Sequence, residues 1–446
     1  MKILLVSNGY PIKEKGGVEQ YTQTLARTLS KNNEVIVFTR EWDHSSKELD
    51  IKQYYDGKIK VYSLVNNIAF PLDFEKSYKN QTIDKIFEKI LLQESPQIAH
   101  IQHTLGLSIG IMTILHKKKI PFFVTLHDFW YACSCIRLLH PDYSLCKKNC
   151  VDCYDYYFQN HPEIVTRIFT NMPKSIKSFF PRPFKEEIKY LLSKVNSQKK
   201  IIVTSRNKEY INSRKAYVKK NLSYATYLIS PSKFVKHMYK ELGFKGYNIK
   251  LLPLPLTVTG GQKKDKKKYS QITFGYLGTF YPFKGIQILI NAFKNLSSSN
   301  SRLVIYGDYS VEPVYYKNLK QQVKGKNVEF KGPYNNSDVF KILSGIDVLV
   351  IPTLAYETFN YTAWEALISK TVVIASNIGA IPECIKHMKN GLLFPPGDED
   401  KLLDYMRKLT KYSISFSPKL IKQPMSSQNH GDTLIKLYQN AIEKKK

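Results

Sequence analysis

Two regions of the chain open with the same succession of a short apolar strand, a glycine-bearing loop and a helix. The first begins at Lys2 and reaches its loop glycines at Gly16 and Gly17. The second begins at Ile272 and reaches its loop at Gly278. Strands that alternate with helices predict parallel sheets, because parallel neighbours need a long crossover that is usually helical. This pattern restricts the chain to the α/β class, with one sheet in each half.

The length of the chain also indicates two domains. Its 446 residues, 43% of them hydrophobic, are enough for two cores. The charged, low-complexity run at 260–268 interrupts the strand and helix pattern and marks a linker. We predict a Rossmann-like domain at 1–258, a second at 259–428 and a terminal helix at 429–446. Whether that helix crosses back to the first domain is left open.

The formal net charge of +30 comes mostly from lysine. Lysine suits an anionic membrane surface or a phosphate-bearing substrate, whereas base-specific DNA recognition relies on arginine, so nucleic acid is the disfavoured partner. An ordinary lysine-rich surface is the alternative reading. The chain has no apolar run of about 18 residues, the length of a membrane span, and its start is too short and strand-like for a signal peptide. We expect a cytoplasmic protein, with peripheral attachment to the inner face of the membrane left open.

The segment 350–383 carries the strongest pattern in the sequence. An apolar strand ends at Pro352, a loop follows, and a helix is expected to begin near Phe359 or Asn360. The carboxyl end of a strand and the amino end of a helix both favour a phosphate-bearing ligand. Glu357 before the helix and Glu365 about two turns into it would contact different parts of one long ligand.

This segment resembles the signature of the family 4 glycosyltransferases. The match consists of Glu357, Phe359, Glu365 and the following VVIAS strand, and the departures are Asn360 and Thr371, where the family usually has glycine and proline. The opening GGVEQYTQTLARTLS is similar to the same family's N-terminal motif. The resemblance implies the GT-B architecture, two Rossmann-like domains facing across a cleft, and transfer with retention of anomeric configuration.

The resemblance also implies a set of site residues. Lys284, in the sequence GTFYPFKG, corresponds to a phosphate-binding lysine, although Thr279 stands where the family usually has arginine. His127 lies just past a predicted strand and corresponds to a histidine that contacts the donor sugar. Catalytic roles thus fall to His127, Glu357 and Lys284, without a metal cofactor. Donor binding falls to Gly16, Gly17, Gly278, Thr279, Lys284, Glu357, Phe359, Asn360, Tyr361 and Glu365.

Five of the six cysteines lie within a short stretch after His127, inside an insertion predicted at about 128–200. Two close pairs of thiolates can complete a structural zinc site, and reduced thiols in a packed loop are the alternative. The resemblance to bacterial members of the family selects four ligands, namely Cys133, Cys146, Cys150 and Cys153, and leaves Cys135 over.

The rest of the insertion, 154–200, mixes aromatic and basic residues. That mixture suits a membrane interface, single-stranded nucleic acid or a packed helical insertion.

Together these features predict a glycosyltransferase that moves a sugar from a UDP- or GDP-sugar to a glycan or lipid-linked glycan, as in lipopolysaccharide or capsule assembly. Two alternatives stay open. One is a nucleotide-sugar epimerase or phosphorylase of the same architecture. The other is a basic zinc-bearing module, without enzymatic activity, that binds nucleic acid or a membrane.

Overall fold

The computed structural model of the chain describes most of its residues as two compact units. The first unit comprises 1–141, 146–257 and 425–446, and the second comprises 142–145 and 258–424. The described ranges are 1–11, 16–67, 73–140, 142–146, 205–256, 271–296, 300–411 and 424–444, with side chains from 208 onward in the helix that begins at 205.

The first unit is built on an eight-stranded sheet with the order β3-β4-β2-β1-β5-β6-β7-β8. All neighbours are parallel except β3 and β4. Its strands are β1 (Lys2–Ser7), β2 (Glu34–Glu41), β3 (Ile51–Asp56), β4 (Ile59–Val65), β5 (Ile98–Ile101), β6 (Phe122–Thr125), β7 (Tyr227–Ser230) and β8 (Ile249–Leu251). Within the described ranges, the α-helices that precede the C-terminal one are α1 (Gly17–Leu29), α2 (Gln81–Glu94), α3 (Gly110–Lys117), α4 (Ser205–Leu222) and α5 (Lys233–Tyr239).

Local chemistry fixes these elements where the pattern predicts them. The central strands β5 and β6 are buried at every position, as expected for parallel strands covered on both faces. Asn80 caps α2, because its side chain accepts hydrogen bonds from the backbone N–H groups of Thr82 and Ile83 at 3.1 and 3.3 Å. The helix ends at Glu94, and the capping residue Ser95 that follows adopts the left-handed conformation.

The second unit is a six-stranded parallel sheet with the order β11-β10-β9-β12-β13-β14. Its strands are β9 (Ile272–Leu277), β10 (Ser301–Tyr306), β11 (Val328–Gly332), β12 (Val348–Ile351), β13 (Val372–Ser376) and β14 (Leu392–Phe394). Its helices are α6 (Ile286–Lys294), α7 (Pro313–Gln322), α8 (Val339–Ser344), α9 (Tyr361–Ile368), α10 (Ile381–Cys384) and α11 (Glu399–Lys411).

Alternating side chains of this sheet enter two separate cores. On one face Val348 and Val350 of β12 pack with apolar residues of α6 and α11. On the other face Leu349 and Ile351 pack with residues of α8, α9 and α10. Successive strand residues point to opposite faces, so a strand of continuous apolar sequence is covered by helices on both sides.

The C-terminal helix α12 (Ser427–Glu443) belongs to the first unit. Its Tyr438 hydroxyl is hydrogen-bonded to Nδ1 of the fully buried His100 on β5. Its His430 is bonded through Nε2 to the Tyr21 hydroxyl of α1, at 2.8 Å. These buried polar contacts fix the helix against α1 and the sheet, far in sequence from both.

The α/β class with two largely parallel sheets is confirmed. Two details differ from the predictions. The antiparallel edge strand β3 was not predicted, because its polar sequence IKQYYD lacks a buried pattern. Helix α9 begins at Tyr361, so Glu365 lies about one turn into the helix instead of two. Among the described residues, no helix combines the length and apolar character needed to cross a membrane.

Candidate functional site

The strand order of the second sheet reverses between β9 and β12. Strands β10 and β11 follow on one side of β9, whereas β12, β13 and β14 lie on the other. The carboxyl ends of β9 and β12 are therefore neighbours, and the loops 278–285 and 352–360 leave the sheet side by side. Open α/β sheets bind ligands at this point, because the two loops diverge and leave a crevice.

The two loops are held together by their backbones. The N–H of Leu354 donates to the carbonyl of Phe283 at 2.8 Å. Gly285 has a φ of +75°, and a Cβ placed there would lie 1.8 Å from the carbonyl oxygen of Pro352. Only glycine permits this approach, which fixes the position of Lys284 relative to the loop after β12.

Lys284 and Glu357 form an ion pair across the two loops. The lysine Nζ lies 2.8 Å from Oε1 of Glu357, and the side chains are 30% and 14% exposed. Both groups thus remain in reach of solvent and of a ligand. A cation and a carboxylate in contact at a switch point can bind a phosphate and a hydroxyl of the same molecule.

The backbone of Glu357 is fixed by the glycine loop that follows β13. The carbonyl of Glu357 accepts a hydrogen bond of 2.7 Å from the N–H of Ala380. Gly379 has a φ of +62°, and a Cβ there would come within 2.4 Å of the backbone of Glu357. This close contact explains the glycine that the sequence places after the VVIAS strand.

Asn360 replaces the usual glycine and keeps the geometry that glycine would have. Its φ of 63° and ψ of 81° are left-handed, a region that asparagine tolerates. Its side chain also caps α9 by accepting from the N–H of Ala363 at 2.8 Å. The neighbouring Phe359 is buried and its ring lies 5.1 Å from that of Tyr361, so it supports the loop by packing.

Glu365 differs from Glu357 in its electrostatic setting. Burial raises the pKa of the Glu365 carboxyl to about 7. Burial and, to a smaller extent, the charge of Glu365 raise the pKa of the Tyr334 hydroxyl. The carboxyl therefore changes its charge close to neutral pH, an uncommon property for glutamate.

The loop after β9 is shaped by Gly278. A Cβ at Gly278 would lie 2.8 Å from the hydroxyl of Tyr276, and that hydroxyl donates to the carbonyl of Thr279 at 2.9 Å. The Thr279 side chain is exposed. Neither residue offers a charge, so Lys284 is the cation that this loop brings to Glu357.

In the first unit, the two loop glycines differ in their surroundings. Gly16 precedes α1, and a Cβ there would lie 2.2 Å from the carboxylate of Glu19. A Cβ at Gly17 would meet nothing within 4 Å. Glu19 is buried and accepts a hydrogen bond of 3.0 Å from the Asn8 amide, just past β1. Gly16 thus makes room for a buried carboxylate that the sequence analysis did not identify.

His127 lies just past the end of β6 and is 8% exposed. Its Nε2 is 3.1 Å from Oε1 of Gln102, and its ring centroid is 4.9 Å from that of Tyr21. Burial, helped by the nearby His103, lowers the pKa of His127 to about 3. The imidazole is therefore neutral at physiological pH and can act as a hydrogen-bond partner, not as a cation.

A second pair lies next to Gln102 and His127. Nε2 of His103 is 3.0 Å from Oδ2 of Asp128, while Nδ1 of His103 accepts from the N–H of Leu105 at 3.0 Å. Burial raises the pKa of Asp128, but the interactions with His103, the backbone N–H of Trp130 and His127 together outweigh it and leave that pKa below its ordinary value.

Sequence reasoning did not single out Gln102, His103 or Asp128 as site residues. The signal was the sequence HIQH at the end of β5, which places polar side chains at a strand's carboxyl end.

Some of the clustered cysteines lie within the described ranges and others lie outside them. Cys133, Cys135 and Cys146 are buried, whereas the predicted ligands Cys150 and Cys153 lie outside the described residues. Over the described ranges, no three His, Cys, Asp or Glu side chains converge as metal ligands would. Buried thiols after His127 fit either a structural zinc site or a packed loop, so the zinc site stays a prediction.

Two family models match the chain and together cover both units. The model described as Glycosyltransferase Family 4 matches residues 15–256, and the model described as Glycosyl transferases group 1 matches residues 271–411. The first match alone covers more than half of the chain. The second contains the loops that carry Lys284 and Glu357, and the helix α9 that carries Glu365.

Individual relatives are more distant. The chain is 30% identical over 176 residues to an uncharacterized glycosyltransferase of Methanocaldococcus jannaschii, a stretch that covers 38% of this chain and 45% of the relative. It is 22% identical over 287 residues to a lipopolysaccharide 1,2-N-acetylglucosaminetransferase of Salmonella typhimurium, covering 57% and 73%. The first of these matches spans less than half of the relative's length.

The fold is shared with solved glycosyltransferase structures of the GT-B class. The Anabaena protein Alr3699/HepE, solved with UDP and glucose, has a TM-score of 0.57 at 14% identity, and the match covers 100% of this chain and 99% of that protein. At this identity the likeness shows the fold alone. The predicted GT-B fold is confirmed in the architecture of each parallel-sheet unit.

Proposed function

Because the chain belongs to Glycosyltransferase Family 4, we propose that it transfers a sugar from a UDP- or GDP-sugar to a glycan or lipid-linked glycan, with retention of anomeric configuration. The observation that carries the proposal is the contact between Lys284 and Glu357 at the switch point of the second sheet. Sugar transfer from a nucleotide donor breaks a C–O bond and leaves negative charge on a diphosphate. A lysine fixed beside a hydroxyl-binding carboxylate matches both needs of that step.

Each site residue of the second unit is assigned to bind one part of the donor. Lys284 and the amino end of α9 bind the diphosphate and neutralise its negative charge, so a metal ion is not needed for this step. Glu357 accepts hydrogen bonds from hydroxyls of the transferred sugar. Glu365 accepts from the two ribose hydroxyls, since a carboxylate offers only acceptors.

The first unit is assigned the remaining contacts. His127 contacts the transferred sugar as a neutral hydrogen-bond partner, in keeping with its low pKa. The backbone at Gly16 and Gly17 approaches the donor phosphate, and the open space around Gly17 supports a close approach.

The proposed acceptor is a glycan of a surface polysaccharide, assembled at the cytoplasmic face of the membrane. The similarity to a lipopolysaccharide N-acetylglucosaminetransferase supports this class, as does the similarity to a protein of the cps region of Klebsiella pneumoniae. The net charge of +30 supports a peripheral association with anionic lipid, to which each lysine near the surface contributes about 1 kcal/mol.

The proposal is tested with purified protein and a panel of UDP- and GDP-sugars. One donor is expected to raise the melting temperature, because ligand binding stabilises the folded state. With that donor, nucleotide release is expected only when a glycan acceptor is present. Interconversion of two donor sugars without an acceptor identifies an epimerase, and donor turnover that requires inorganic phosphate identifies a phosphorylase. Absence of donor binding, together with tight and strongly salt-dependent binding of nucleic acid, contradicts the proposal.

We also propose that Cys133, Cys146, Cys150 and Cys153 hold one structural zinc ion. Four thiolates complete a tetrahedral sphere and leave no open position for substrate, so the metal stabilises the fold and takes no part in transfer. About one zinc per chain is expected after purification without chelator. Cys150→Ser is expected to lose the metal, whereas Cys384→Ser, a buried thiol in the second unit, keeps it. A metal-free wild-type protein contradicts this proposal.

A further inference from the structure

Two successive residues after β5 face two successive residues after β6. Gln102 pairs with His127 at 3.1 Å, and His103 pairs with Asp128 at 3.0 Å. The two strands are neighbours in the sheet, which brings their carboxyl ends together. Each histidine is thus held by a side chain from the other strand, on rigid elements.

The partner atoms determine where the proton of His127 lies. Oε1 of Gln102 is a carbonyl oxygen and can only accept, so Nε2 of His127 must carry the hydrogen. A neutral imidazole has a single N–H, and Nδ1 therefore carries the lone pair. The ring is neutral because burial lowers the pKa of His127 to about 3.

The Gln102 side chain is fixed in place. Its backbone N–H donates to the carbonyl of Val6 on β1 at 2.7 Å, and the residue is completely buried. Its Nε2 has no hydrogen-bond partner among the described residues. An unpaired buried donor is destabilising, and an apolar side chain of the same size would avoid that cost. Fold stability alone therefore does not account for an amide at this position, whereas the contact with His127 does.

We infer that Gln102 is a positioning residue, which fixes the His127 imidazole as its Nε2–H tautomer with Nδ1 as the acceptor. The inference rests on the proposed contact between His127 and the transferred sugar. A ring held in this tautomer accepts a hydrogen bond from a sugar hydroxyl through Nδ1. The opposite tautomer places a donor at that atom, so the hydroxyl can only accept there and its own hydrogen loses this partner.

The tautomer can be measured without turnover. In protein labelled with ¹⁵N at histidine, protonated and unprotonated ring nitrogens give separate signals, and His127→Asn assigns those of His127. We expect the Nε2–H pattern in the wild type and in Gln102→Glu, which keeps the acceptor oxygen. We expect its loss in Gln102→Met. Gln97→Met, an exposed position at the opposite end of β5, is the matched control and keeps the pattern.

Turnover with the donor identified in the panel gives the second readout. Gln102→Met is expected to lower kcat/KM by roughly 10- to 100-fold, by analogy with the loss of a partner that orients a metal-bound histidine. Gln102→Glu is expected to recover most of this loss, and Gln97→Met to change nothing.

An unchanged Nε2–H pattern in Gln102→Met overturns the inference, as does an Nδ1–H pattern in the wild type. If no nucleotide sugar is turned over, the proposed function fails, while the tautomer measurement still decides the role of Gln102.

Discussion

The Nζ of Lys284 lies 2.8 Å from Oε1 of Glu357, although 73 residues separate them in the chain. The contact joins the loops after β9 and β12, the two strands between which the order of the second sheet reverses. Gly285 and Gly379 permit it by letting backbone approach where a Cβ would collide. Close packing of the backbones therefore brings these two charged side chains into contact.

Replacing Glu357 with glutamine tests the carboxylate. Glu357→Gln keeps the shape but removes the charge, so the sugar hydroxyls lose a charged acceptor worth about 1.5–3 kcal/mol. The expected loss in kcat/KM is about 10- to 100-fold. Glu329→Gln is the control, because Glu329 forms a surface ion pair with Lys331. Equal activity of Glu357→Gln and wild type removes Glu357 from the site.

The raised pKa of Glu365 predicts that nucleotide binding depends on pH. In the proposed donor site the carboxylate form of Glu365 accepts from the ribose hydroxyls, and burial raises the pKa of Glu365 to about 7. Affinity for UDP or GDP should therefore increase as the pH rises from about 6 to 8. Glu365→Gln should bind more weakly at pH 8 and lose this part of the pH profile. Titration calorimetry on both proteins separates this effect from ionisation of the nucleotide itself.

The same raised pKa predicts an effect on stability. Between the ordinary value of 4.5 and the folded value of about 7, the folded state binds more protons than the unfolded state. Stability should therefore fall as the pH rises through this window. Glu365→Gln should flatten the decline, which urea unfolding at several pH values measures. A decline of equal slope in both proteins argues against a raised pKa of Glu365.

Gly379 and Gly325 both have left-handed backbones, but only Gly379 is crowded. Comparing alanine variants at the two positions therefore distinguishes backbone strain from steric crowding. Gly379→Ala places a Cβ against the backbone of Glu357, whereas a Cβ at Gly325 would meet nothing within 4 Å. Both changes incur about 1–2 kcal/mol of backbone strain. Only Gly379→Ala is expected to lower stability further and to reduce sugar transfer by moving Glu357. Similar urea midpoints and similar activities for the two variants contradict the proposed role of the glycine loop.

The C-terminal helix provides a test of the first unit. Tyr438→Phe removes a hydroxyl that is bonded to the buried His100, and an unpaired buried group costs about 1–3 kcal/mol. The urea midpoint should fall accordingly. Tyr55→Phe, at a tyrosine that is 62% exposed, should leave it within error. If Tyr438→Phe is as stable as the wild type, the hydrogen bond does not secure this helix.

Much of this fold could be predicted from the sequence. Strands such as β1 and β9 appear in the sequence as short, continuous apolar runs. Gly278 and Gly379 mark loops that follow strands. Asn360 was singled out as a departure from the glycine of the family signature, and its backbone is left-handed. Edge strand β3 escaped prediction, because half-exposed polar residues give no periodic signal.

The contacts within the site could not be predicted in the same way. The pairs Lys284–Glu357 and Gln102–His127 depend on which strands are neighbours, and the sequence alone does not determine strand order. Nor does it determine burial, which separates Glu365, with a pKa raised to about 7, from an ordinary surface glutamate. The role of a residue such as Gln102 depends on the side chain that it contacts, and that contact is visible only in the structure.

Binding of the donor nucleotide to Lys284→Ala tests the central claim most directly. The nucleoside diphosphate that the wild type binds, UDP or GDP, is titrated calorimetrically into wild type, Lys284→Ala and Lys317→Ala, the last an exposed lysine of α7. Loss of a charged phosphate contact of about 1.5–3 kcal/mol should weaken binding by more than tenfold in Lys284→Ala. Lys317→Ala should bind like the wild type. Equal affinity of all three proteins would contradict a donor site built on Lys284 and Glu357.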